Sequence, residues 1–108
     1  MLLDTCVLLW LVAGSPRLSD TATALVRSHA GSLHVSSISA LEIGLKVARG
    51  KLALPLAVDE WFPRALDVHG VHCVPVGWEL AAASAALPPH HADPFDRLIV
   101  ATARARTM

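Results

Sequence analysis

Cysteine is scarce in this 108-residue chain: Cys6 and Cys73 are far apart and in no CxxC spacing, which argues against a thiolate zinc site or a disulfide framework. Both are expected to be buried, reduced thiols. Charge is also scarce, at 17% of residues, and it balances: nine Lys and Arg against nine Asp and Glu give a formal net charge of zero. No global field therefore draws the molecule to nucleic acid or to a membrane surface. Any polyanion contact has to be local, with Lys46, Arg49 and Lys51 in one segment and Arg97, Arg104 and Arg106 in another as the candidates, against their more ordinary reading as solvated helix faces. No apolar run approaches the roughly 18 residues of a membrane span. No basic stretch precedes the first apolar run and Asp4 interrupts it, so no secretory signal is expected and the expected compartment is the cytoplasm. Internal repeats, linkers and low-complexity segments are missing as well, which leaves one small domain.

What the chain does have is apolar material, 54% of its residues, enough for a true core. The opening Met1-Leu2-Leu3-Asp4 reads as a short buried strand of a parallel sheet, with Asp4 at its C-terminal end, the edge at which open α/β sheets carry their sites. A short apolar, helical stretch follows, broken at Gly14-Ser15-Pro16. Ser19 reads as the N-cap of a helix ending near Gly31, and residues 33–36 as a second strand. Ser37 or Ser39 begins the next helix, with Leu41, Leu45 and Ala48 on one face and Gly50 as its stop. Residues 58–69 form an amphipathic pattern that Pro63 weakens, residues 71–76 a third strand, residues 78–87 an alanine-rich helix, and a last helix runs from Pro94 toward Arg106. Strands alternating with helices predict an α/β sandwich around a parallel sheet.

Within this pattern, carboxylates stand in apolar surroundings: Asp4, Glu42, Asp93 and Asp96. An ionised carboxylate at a core edge needs a cap, an ion pair or a metal. Asp93-Pro94-Phe95-Asp96 is a near-ideal helix start, and Ser39-Ala40-Leu41-Glu42 matches a capping box. Asp4 follows a strand rather than opening a long helix, so no cap accounts for it. If Asp4, Glu42 and Asp96 converged at about 4 Å, each like-charge pair would cost on the order of 4 kcal/mol at an effective dielectric near 20. A hard divalent cation with oxygen ligands and retained waters would relieve that repulsion. Such a site suits phosphodiester hydrolysis.

At these residues the chain resembles PIN-domain proteins, and specifically the VapC toxins of toxin–antitoxin pairs. Three blocks carry the resemblance, MLLDTCVLLWLV, VSSISALEIGLKVARGKLALP and LPPHHADPFDRLIVATA, in matching order over nearly the whole chain. The resemblance implies a PIN-like three-layer α/β/α sandwich and a Mg²⁺- or Mn²⁺-dependent ribonuclease with an acidic pocket at the C-terminal edge of the sheet. Asp4 and Glu42 match the first two metal-binding acids. Asp96 matches the acid before the last helix, Asp93 is an additional acid of the same block, and Thr5 matches the small hydroxyl residue that supports the first acid. Arg97 is expected either on substrate phosphate or in an outer-face salt bridge. Cys6 stands where similar sequences often carry His, without consequence for oxygen ligation. His90 and His91 read as loop bystanders or RNA contacts, and Trp10, Trp61 and Trp78 as packing residues.

The family pattern continues past a sequence ending at Met108, through a T-x-D-type strand that brings a fourth acid. Residues 1–108 are therefore expected to be one PIN-like domain, incomplete at its C-terminus, with the last strand or strands missing and the apolar Met1 to Leu3 strand left as an exposed edge. The implied partners are an RNA substrate, a cognate antitoxin that inserts a segment into or across the acidic pocket, and a second copy in a homodimer. No residues that read the RNA are identifiable. The alternative function is a catalytically inactive PIN-domain fragment that still binds an antitoxin. A purely structural α/β module, its acids serving as helix caps, is the third reading.

Overall fold

Three short segments rich in leucine and valine pair as parallel strands. In the computed structural model, which describes residues 1–88 and 93–108, β1 (Leu2–Leu3), β2 (Leu33–Ser36) and β3 (Val71–Val74) form a sheet in the order β1-β2-β3. Among the described residues six helices complete the chain: α1 (Thr5–Ala13), α2 (Asp20–Ser28), α3 (Ile38–Ala48), α4 (Val58–His69), α5 (Trp78–Ala85) and α6 (Pro94–Ala105). This mixed α/β architecture with a parallel sheet is the predicted one. His90 and His91 lie outside the described residues. Among the described residues no helix is long and apolar enough to cross a membrane.

Register sorts the side chains, because neighbours in a parallel ladder share a face. Leu3, Val35 and Cys73 stand side by side, as do Leu33 and Val71, while Leu2, His34 and His72 form a row on the opposite face. The first face carries the main core, in which Leu3, Leu33, Val35 and Val71 meet Leu8 of α1, Val26 of α2, Ile43 of α3, and Trp61, Phe62, Ala65 and Leu66 of α4. That burial keeps α4 helical through Pro63, whose ring supplies no amide hydrogen to the ladder. On the other face the sheet is less covered: Ser36 and Val74 are buried, His34 is half-buried and His72 is exposed.

Several sequence expectations are corrected. The buried face of α3 carries Ser39 and Ile43, both wholly inaccessible, whereas Leu41 is half exposed. β1 is an edge strand, as expected, yet Leu3 is buried and Met1 and Leu2 are half-buried, lining a cleft of about 480 Å³ with side chains of α2 and α6. Trp61 packs in the core, but Trp78 is 76% exposed. Both cysteines are free and exposed rather than buried, although partial desolvation raises the Cys73 thiol above its ordinary pKa.

Among the described residues, Arg97 closes the C-terminus of the preceding helix. A helix end leaves carbonyls without intrahelical donors, and α5 has no basic residue of its own in its last turn. The Arg97 guanidinium supplies donors from α6: Nε to the Ser84 carbonyl (3.0 Å), Nη2 to those of Ala85 (3.1 Å) and Leu87 (2.8 Å), and Nη1 to that of Pro88 (3.2 Å). A planar fork meets several carbonyls that an ammonium cannot reach together. Arg97→Lys is therefore expected to destabilise the fold by about 1–3 kcal/mol in denaturant titrations and to speed amide exchange selectively around residues 84–88. Unchanged stability and exchange would remove this role.

Candidate metal centre and active site

The predicted site begins where β1 turns into α1. Asp4 is extended (φ −76°, ψ 169°), and its Oδ1 accepts the Val7 N–H at 2.8 Å, so it is the N-cap of α1. Asp4 thus has a capping role after all, contrary to the expectation that none accounts for it: the apolar stretch after it is a nine-residue helix. Capping occupies one carboxylate oxygen, and the side chain is exposed, which leaves the second oxygen available.

Glu42 shows the reverse. The expected capping box is not formed, because Ser37 rather than Ser39 precedes α3, and Ser37 makes no side-chain capping bond to it. Its hydroxyl instead accepts the Val76 N–H at 3.0 Å. Ser39 lies inside the helix, wholly buried, with its Oγ 2.9 Å from Thr5 Oγ1. Glu42, one turn further along α3, is half-buried and free of capping duty.

The Thr5–Ser39 bond is what relates these two acids. Thr5 is 2% exposed, Ser39 fully buried, and the pair links residues 34 positions apart. Asp4 is the residue before Thr5, and Glu42 stands at i+3 from Ser39, on the neighbouring part of the same helix surface. The bond therefore pins the α1 corner to the first turn of α3 with an acid beside each end. No reading of local sequence reveals this contact; the only signal was the family match of Thr5 as a supporting hydroxyl.

Asp93 and Asp96 occupy the start of α6. Asp93 Oδ1 accepts the N–H groups of Phe95 (2.8 Å) and Asp96 (3.4 Å), with Pro94 as the first helical residue, as the sequence predicted. Ile99, Val100 and Ala103 share a cleft with Met1 and Leu2, so α6 runs beside β1 with its later turns at the strand's start. Among the described residues no group of three or more His, Cys, Asp or Glu side chains is close enough to hold one ion. The tight trio considered from the sequence is not formed. The donor chemistry still fits Mg²⁺ or Mn²⁺, because a hard cation takes carboxylate oxygens, keeps several waters, and commonly uses only one or two carboxylates plus a phosphate.

A largely apolar groove of about 550 Å³ lies between α1, α3 and the segment after α3. Trp10, Leu54 and Trp61 line it together with Arg17, Lys46 and Lys51.

Because the Thr5–Ser39 pair is buried, removing one hydroxyl strands the other. Thr5→Val is expected to lower stability by about 1–3 kcal/mol, while Thr5→Val/Ser39→Ala recovers part of that loss, since deleting both partners leaves no unpaired group. Urea titration of the two variants checks this; a double variant that loses the full sum of the single effects would contradict it.

The comparisons agree with this geometry at the level of family. No curated protein and no solved structure gives a significant match. The model of the PIN domain, a family generally composed of metal-dependent nucleases, matches residues 1–108. With its parallel sheet and a family match that spans it from end to end, the chain belongs to the PIN domain family.

Proposed function

We propose that this PIN-domain chain is a Mg²⁺- or Mn²⁺-dependent endoribonuclease of the VapC toxin type, acting in the cytoplasm and restrained by a cognate antitoxin. The observation that carries the reading is the Thr5–Ser39 bond, which joins the helix capped by Asp4 to the helix that carries Glu42. Asp4, Glu42 and Asp96 are the catalytic acids, with Asp93 an additional metal-binding candidate and Thr5 the supporting hydroxyl. The cation, when bound, supplies Lewis-acid polarisation of the phosphoryl group and charge compensation at the leaving oxygen. Asp4 keeps one oxygen on the Val7 amide and has the other to offer a cation. Glu42, uncommitted to a cap, is the group to take a proton from the attacking water.

The groove between α1 and α3 supports a partner reading. Its apolar lining with Trp10 and Trp61 suits an inserted antitoxin segment, and Arg17, Lys46 and Lys51 supply local positive charge for RNA phosphates in a chain with no net charge. A homodimer would draw on exposed apolar side chains such as Leu41 of α3 and Val68 of α4. The alternative, an inactive PIN fragment that only binds an antitoxin, is favoured by one observation: among the described residues three acids do not converge.

RNA cleavage by the purified chain is expected to require Mg²⁺ or Mn²⁺ and to fall on the order of 100-fold or more in Asp4→Asn, with the fold retained. Cleavage that persists in this variant would overturn the nuclease reading of these acids. A folded chain that cuts no RNA with either metal would favour the inactive fragment.

A further inference from the structure

We propose that His34 and His72, on the sheet face opposite the main core, form a second metal site, one selective for a borderline ion such as Zn²⁺. The pair is created by register. His34 of β2 and His72 of β3 are direct partners in the parallel ladder, so both side chains rise from the same face on strands about 4.8 Å apart. This face is only partly covered, with His34 half-buried and His72 exposed to solvent.

The ring geometry matches chelation of one ion. The imidazole centroids lie 5.4 Å apart with the planes tilted by 42°. Zn–N bonds of about 2.0–2.1 Å place each centroid about 3.2 Å from the metal, and two such rings at a tetrahedral angle have centroids about 5.2 Å apart. The observed separation is close to that value.

The tautomer of one ligand is set as well. His34 Nδ1 lies 3.0 Å from the Ser32 carbonyl. A carbonyl only accepts, so Nδ1 carries the hydrogen and Nε2 of neutral His34 presents its lone pair. A backbone carbonyl holding the non-ligating nitrogen is the usual outer support of a metal-binding histidine. Ser32 is itself anchored, its carbonyl also accepting from the Met1 ammonium at 2.9 Å. His72 completes a two-imidazole chelate, and water takes the remaining positions.

Ligand chemistry separates this site from the acidic one. Imidazole nitrogen suits Zn²⁺, Ni²⁺ and Cu²⁺, whereas Mg²⁺ and Ca²⁺ prefer carboxylate and water oxygen. The scarcity of cysteine argued against a thiolate zinc site; it had no bearing on histidines 38 positions apart that only strand pairing brings together.

Titration of the whole chain with ZnCl₂ at neutral pH, followed by imidazole ¹⁵N resonances, tests the site. His34 and His72 Nε2 are expected to shift together and saturate at one ion per chain. His72→Gln, a change at an exposed position, and His34→Gln should each weaken binding about tenfold or more, while Asp4→Asn leaves it unchanged and excess Mg²⁺ does not reverse the shifts. Zn²⁺ that moves neither resonance, or that binds His72→Gln as tightly as the unaltered chain, would overturn the proposal.

Discussion

One buried hydrogen bond between two hydroxyls holds the functional end of this molecule together. Thr5 and Ser39 are inaccessible to water, and each would carry an unpaired polar group without the other. Their bond locks the β1–α1 corner onto the first turn of α3. The strands then need only be short: β1 contributes two residues, enough to place Leu3 in the core and Asp4 just beyond it. The core below, from Leu3 and Leu8 through Val35 and Ile43 to Trp61, supplies the hydrophobic stabilisation, and the hydroxyl pair supplies its orientation at the upper edge.

How far the sequence disclosed this arrangement depended on the range of each interaction. Ser19 and Asp93 were identified correctly as caps because the bonds they make span two or three residues. The strands and the amphipathic α4 also emerged from local periodicity. Asp4 and Glu42 exchanged roles relative to expectation. The helix after Asp4 was judged too slight to need a cap, while an S-x-x-E pattern suggested a box where Ser39 had already been claimed by Thr5. Pattern alone could not decide between Ser37 and Ser39 as the residue preceding α3, because the deciding partner lies 34 positions away.

The same limit explains the remaining differences. Leu41, Leu45 and Ala48 formed an apolar row, but α3 turns Ser39 and Ile43 inward, because a hydroxyl with a buried partner competes well with a leucine for the interior. Arg97, beside two acids, suggested phosphate or an ion pair, whereas its carbonyl partners belong to the end of a helix 9–13 positions earlier. The candidate acids themselves were legible, though chiefly through the combined pattern of three blocks rather than through any acid alone. Fold and family followed from that pattern and agree with the sheet and the PIN-domain match.

Two kinds of ligand chemistry are proposed for one small chain, the carboxylate oxygens of Asp4 and Glu42 for a hard cation and the imidazole nitrogens of His34 and His72 for a borderline one. Their separation gives the central claim, that Asp4 and Glu42 form a hard-cation centre, a direct measurement. Calorimetric titration of Mn²⁺ into the unaltered chain, Asp4→Asn and Glu42→Gln is predicted to give saturable binding that each substitution weakens about tenfold or more. Equal Mn²⁺ affinity in all three folded chains would contradict the account.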